Sequence, residues 1–146
     1  MKENFSRRTL FAAAAGLALL ATGCATAATE AGRDYSTDKL TQQGGFRVSW
    51  RTETGAPPIG QLHTWVLHVA RPDGTPVTDA AIAIDGDMPQ HLHGLPTRPR
   101  MTRHLGNGDY LIDGIKFQMG GWWVMEFTIT AQGRKDLAKF NLMLKR

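Results

Sequence analysis

The chain has 146 residues, 42% of them hydrophobic, a formal net charge of +4 and a single cysteine. That length supports one hydrophobic core with a short extension, and one cysteine excludes an internal disulfide. Without Lys2, Glu3, Arg7 and Arg8, all in residues 1–23, the formal charge falls from +4 to +2, which removes the main support for a nucleic-acid partner.

Residues 1–23 read as an export signal: a basic start runs into the apolar block Leu10 to Ala21 and then a small-residue segment. The block falls short of the roughly twenty apolar residues needed to span a bilayer. Ser6-Arg7-Arg8-Thr9-Leu10-Phe11 is similar to a twin-arginine export motif, with its last two residues in reversed order. Ala21-Thr22-Gly23-Cys24 resembles a bacterial lipobox, so Cys24 is the expected lipidation site and the chain's contact with a membrane. Cleavage after Ala25-Thr26-Ala27 is the alternative; it would discard Cys24 and leave a soluble periplasmic protein. Either route places the protein in the periplasm or cell envelope, and Ala25 after the cysteine favours the outer membrane if the cell is Gram-negative. Residues 24–45, polar and without apolar periodicity, read as a flexible tether.

From Phe46 onward short runs alternate with a period of two between Gly-, Pro- and Asn-rich turns. Phe46, Val48 and Trp50 share one face of the first strand; Trp65, Leu67 and Val69 share one face of the second, Leu62 to Ala70. Pro72-Asp73-Gly74 makes a turn, and Ala80 to Ile84 forms a third strand. Arg100 to Leu105 precedes Gly106-Asn107-Gly108, a hairpin signal, and Tyr110 and Ile112 lie on the strand after it. Trp123, Met125, Phe127 and Ile129 alternate inward, and Phe140, Leu142 and Leu144 line the last strand. About seven strands without sustained helical spacing predict an all-β fold, an Ig-like antiparallel β-sandwich over residues 46–146.

Between the third strand and the hairpin lies Asp87 to His104, which holds three of the five histidines with Met88, Met101, three prolines and a glycine. Thioether and imidazole donors without nearby carboxylates suit a soft ion, and copper(I) is the expected cofactor. The candidate metal ligands are Met88, His91, His93, Met101 and His104, with Met119 from the neighbouring Gly120-Gly121 turn. If Met88 ends one strand and Met101 begins the next, the Pro-stiffened loop can bring its ends together. In the bland reading Met88 plugs the end of the sandwich and the histidines are exposed loop residues. A zinc site built on His91, His93 and His104 is a further reading, disfavoured because Pro89 and Gly94 flank the His-x-His pair that such sites mount on a rigid strand, and by the shortage of a general base beyond Asp85 and Asp87. His63 reads as a core-edge histidine, Met125 as core, and His68 and Met143 as solvent-facing.

Met-Pro-x-His-x-His-Gly, the Pro-x-Met-Thr stretch and Gly-Asn-Gly-Asp-Tyr-Leu-Ile-Asp-Gly-Ile-Lys-Phe-Gln-Met-Gly-Gly-Trp-Trp together resemble the YtkA-like and FixH-like small secreted or membrane-anchored bacterial domains. The resemblance runs from about Phe46 to the C-terminus and rests on Met88, Pro89, His91, His93, Gly94, Tyr110, Phe117, Met119, Gly121 and Trp122. It implies a β-sandwich and, for the FixH-like branch, a link to copper delivery or oxidase assembly; a lipobox in place of a retained membrane helix departs from that branch. The expected function is therefore a non-enzymatic, lipid-anchored copper(I) chaperone or reservoir with a copper-accepting or other envelope partner. The alternative is an envelope interaction module that uses the same loop end without metal.

Overall fold

A computed structural model describes residues 32–145, and the expected signal and the Cys24 lipidation site lie outside them. Nine strands form two antiparallel sheets: β1 (Asp38–Leu40), β2 (Arg47–Arg51), β3 (His63–Ala70), β4 (Ala81–Met88), β5 (His93–Gly94), β6 (Arg100–Gly106), β7 (Asp109–Ile115), β8 (Gly121–Ala131) and β9 (Arg134–Leu144). One sheet has the order β1-β2-β3-β7-β6, the other β5-β4-β8-β9. The all-β sandwich expected from alternation is what forms, with two more strands than the pattern displays. β1 and β5 are only three and two residues long, too short to carry a period.

The inward residues of each strand meet between the sheets. Trp65 packs on Phe127 with ring centroids 6.1 Å apart, and Phe117 meets Trp123 edge-on at 5.2 Å. Val48, Leu67, Ile112, Met125, Ile129 and Phe140 complete a core from which solvent is excluded. Each such side chain contributes on the order of 1.5–3 kcal/mol by its burial. Tyr110 closes one end of the core: its buried hydroxyl donates to the Val77 carbonyl at 2.7 Å and accepts from the Ala80 N–H at 3.0 Å. That bond fixes the entry into β4, and burial pushes the Tyr110 hydroxyl pKa up.

Residues 33–45 belong to the domain, whereas the sequence reads them as part of a tether. β1 pairs with β2, and the Gln42 N–H donates to the Leu137 carbonyl at 2.8 Å. The physical reason is Asp136, only 4% exposed, on β9. Its carboxylate accepts from the Thr41 hydroxyl at 2.6 Å, the Gly45 N–H at 2.9 Å and the Gln43 N–H at 3.1 Å, so a polar segment with little apolar surface is held by one buried anion. Farther upstream Asn141 Nδ2 donates to the Asp34 carbonyl at 2.9 Å, and the Arg33 guanidinium lies 3.5 Å over the Trp122 ring.

Candidate metal centre

The third strand runs past Ile84 and ends at Met88, where it meets β5 in a hairpin: Asp87 pairs with Gly94 and Met88 with His93. The tip is built by the Met88 carbonyl, which accepts from both the His91 and Leu92 N–H groups at 2.9 and 3.1 Å. Leu92 sits at φ 54°, in the left-handed region, so the chain reverses there without a glycine. Below the tip, β5 is locked to β4 because the Leu95 N–H donates to the Gly86 carbonyl at 3.0 Å.

This hairpin brings His91 and His93 together, with ring centroids 5.8 Å apart. Two imidazoles that bind one ion through nitrogen each place their centroids about 3.2 Å from it, so a bent two-coordinate arrangement accommodates that spacing. His93 is half-buried and supported from two sides. Its ring lies edge-on to Trp123 at 5.8 Å, and Gln118 Nε2 is 3.0 Å from its Nδ1. The Gly94 carbonyl is 3.3 Å from the same Nδ1. Gln118 Nε2 also donates to the Gly94 carbonyl at 3.3 Å, so the amide is a donor at both contacts and His93 Nδ1 accepts from it, which places the proton of a neutral ring on Nε2.

The methionines occupy different places. Met88 does end β4, but its side chain is 1% exposed and forms part of the core. Its methyl lies against Gly121, where a Cβ would overlap it. Met119 is partly buried beside the same end, and its carbonyl accepts from Trp123 Nε1 at 3.1 Å, so the indole that supports His93 also fixes Met119's backbone. Met101 lies near the start of β6, opposite Ile112, half-buried against the core.

His104 does not complete a three-histidine cluster. It pairs with Tyr110 near the Gly106 hairpin and stacks on the Tyr110 ring with centroids 4.7 Å apart, while Tyr110 hydrogen-bonds at the entrance to β4 rather than its Met88 end. Register shifts between Met101 and Arg103 and between His104 and Gly106 set Met101 opposite Ile112 and His104 opposite Tyr110, successive positions on one face of β7. Among the described residues no three His, Cys, Asp or Glu side chains gather as a metal site, which removes the geometry required by the zinc reading.

A model of the family described as YtkA-like matches residues 50–128. The chain belongs to the YtkA-like family. Within the matched stretch of this YtkA-like chain lie all six candidate ligands, from Met88 to Met119, whereas the β1 segment and the Asp136 anchor lie outside it. The FixH-like side of the expected resemblance gains nothing from this match. No curated protein and no solved structure matches the chain.

Sequence reasoning did not anticipate Gln118 and Trp123 as supports of the histidine hairpin in this YtkA-like domain. Trp123 carries the ordinary inward signature of its strand, and nothing in the alternation distinguishes a ring that packs on Phe117 from one that also touches His93. His63 lies at the same end, 5.6 Å from Phe117, with Nδ1 3.1 Å from the Gln61 carbonyl. Burial pushes its pKa down, more than the Gln61 bond raises it. Among the described residues its Nε2 has no hydrogen-bond partner, nor do the indole nitrogens of Trp50 and Trp65, which stack on one another at 4.1 Å.

Proposed function

We propose that the chain is a non-enzymatic cell-envelope module, anchored through a lipid at Cys24, whose His91-Leu92-His93 tip takes up copper(I) for storage or delivery. The observation that carries the reading is the 5.8 Å approach of two imidazoles on a backbone-locked hairpin, one of them supported by Trp123 and Gln118. His91 and His93 are the principal ligands. Met119, and Met88 after a shift of its buried side chain, are the thioethers within the same end of the fold; Met101 and His104 lie on β6 against Ile112 and Tyr110. Two neutral nitrogen donors and a thioether suit a soft monovalent ion better than a hard one. Bound, copper would be a redox-active, thiophilic cargo; the chain's own part is to hold two imidazoles close, with Trp123 packed against the His93 ring.

Titration of the protein with copper(I) against a competing chelator, read by tryptophan emission, tests this. Saturable binding with quenching is expected, together with at least a hundredfold loss of affinity in the His91→Ala, His93→Ala double variant. Full affinity in that variant refutes the ligand assignment. Membrane fractionation of Cys24→Ala tests the anchor: release into the soluble envelope fraction is expected, and unchanged membrane association refutes it.

A second reading is favoured by one specific observation. Leu92, 92% exposed, stands between the two histidines, and Leu62, 68% exposed, adjoins His63 at the same end. Apolar residues placed in water at a tip are what a protein partner covers. Binding no tighter than that of an unstructured histidine peptide, with complex formation lost in Leu92→Asp, would favour this metal-free interaction module.

A further inference from the structure

The described chain enters the sandwich at its histidine end. The Arg33 guanidinium lies over Trp122, the second residue of β8, and the Asp34 carbonyl accepts from Asn141, which stands opposite Val124. From there the backbone runs down the side of the fold: the Trp50 N–H donates to the Thr37 carbonyl at 3.0 Å, Asp38 stands opposite Ser49, and the far end is reached only at Thr41, beside Asp136. Cys24 is nine residues upstream of Arg33 (33 − 24 = 9), a reach of at most about 32 Å when fully drawn out. From Trp122 to Ala131, β8 itself rises about 30 Å, and the Gln132-Gly133 turn stands beyond it. A lipid on Cys24 therefore brings the far end to a bilayer only with every one of those residues stretched along the strand, whereas the histidine end is reached with slack to spare.

That end also carries the two most exposed large apolar side chains among the described residues, Leu92 and Leu62; Leu40 and Leu105, toward the other end, are only half exposed. Both sit on backbone that is held. Leu92 keeps a φ of 54°, which glycine or asparagine adopts more easily, and its N–H is bonded to the Met88 carbonyl, so the side chain is presented at the apex of the hairpin. Leu62 ends a loop pinned to Phe117: Ile59 bridges to that residue, and the Gly60 N–H donates to its carbonyl at 2.7 Å. A leucine in a left-handed backbone and in water is unfavourable twice over unless something apolar receives it.

We propose that the histidine end rests on the membrane that holds the lipid, with Leu92 and Leu62 inserted among the headgroups and upper acyl chains of the phospholipids. This rests on the Cys24 anchor and is independent of copper. A short connection from the anchor to the same end as two held leucines keeps the local concentration of lipid around them high, so a contact too weak to bind a membrane alone is made within the anchored protein. The two imidazoles of the His91-Leu92-His93 tip are then presented at the bilayer surface rather than to the open envelope space.

The test uses the lipidated full-length protein, without metal, in vesicles of phosphatidylethanolamine and phosphatidylglycerol. Acylation consumes the only cysteine, so Leu92→Cys, Leu62→Cys and Asn107→Cys each offer one site for an environment-sensitive fluorophore, the last on the β6–β7 hairpin at the far end. Labels at 92 and 62 should shift to the blue in vesicles and be quenched by nitroxide-bearing lipids at least about threefold more than the label at 107. Leu62→Asp should lower the quenching of the label at 92 by about half. Mass spectrometry of the purified protein separates the two readings: an unlipidated chain removes the anchor and this proposal with it, whereas a lipidated chain whose labels at 92 and 107 are quenched alike overturns the membrane contact alone. Stronger quenching at 107, or a label at 92 that shifts only when an envelope protein is added, also overturns it.

Discussion

Replacing Asp136 with alanine tests whether a single buried carboxylate holds residues 33–45 onto the sandwich. The substitution removes the acceptor for the Thr41 hydroxyl, the Gly45 N–H, the Gln43 N–H and, at 2.8 Å, the Leu137 N–H. Gln43 is exposed and its N–H can turn to water, and Thr41 still has the Phe46 carbonyl within 3.2 Å. Gly45 is buried, so its N–H is orphaned at the full cost of desolvation, about 1–3 kcal/mol. With the charge-assisted bonds lost from the other donors the total comes to about 3–5 kcal/mol, a large fraction of the 5–15 kcal/mol typical of a domain. Thermal unfolding followed by circular dichroism at neutral pH should show a fall in Tm of about 10–20 °C. Asp136→Asn, which keeps one acceptor oxygen, should fall roughly halfway between.

The same residue predicts a pH signature. Burial alone would raise the Asp136 carboxyl, but the bonds from Thr41, Gly45, Gln43 and Leu137 outweigh it and hold the pKa below the ordinary 3.8. Its stabilising contribution is present above that unfolded value and is lost as pH falls through the lower folded one. Wild type should therefore lose stability in strong acid more steeply than Asp136→Ala. A variant that unfolds within about 1 kcal/mol of wild type, with the same acid profile, would refute the anchoring argument.

Tyr110→Phe leaves the buried Ala80 N–H without its acceptor and the Val77 carbonyl without its donor; chemical denaturation should register a loss of about 1–3 kcal/mol. Gly121→Ala places a methyl where the Met88 methyl lies, at a backbone φ of 124°, and should cost about 1–3 kcal/mol while shifting the Met88 methyl resonance. His63, with its pKa pushed down by burial, is neutral in the fold at pH values where the unfolded chain takes a proton. Stability should be greatest above the unfolded value of about 6.5 and erode as pH falls below it, and His63→Gln should flatten that slope in urea titrations at stepped pH.

The strands were legible where alternation was long. Trp123, Met125, Phe127 and Ile129 specify both β8 and its buried face, because a period of two over that length has no helical equivalent. β1 was not, since Asp38-Lys39-Leu40 bears no pattern of its own and is fixed through Asp136, whose partner Thr41 is 95 residues away in sequence. At the candidate metal centre the donor types were legible and their directions only in part. A thioether reads the same in sequence whether it lines a cup or fills a core; the glycine across from Met88 decides the matter, and it is 33 positions later. Likewise strict alternation would put Met101 and His104 on opposite faces, and only the register shifts in β6 set them opposite Ile112 and Tyr110, two positions on one face of β7.

β9 is eleven residues long and borders its sheet, with β8 on one side only. On its other side the cover comes from the upstream segment, through Gln42 to Leu137 and Asn141 to Asp34. A chain trimmed to begin at Phe46 would lose the Gln42 bond to the Leu137 carbonyl and the cover over the rest of this edge, an invitation to a second copy to add its own strand there. Self-association, beyond any softening of the monomer, is what such a shortened form should display.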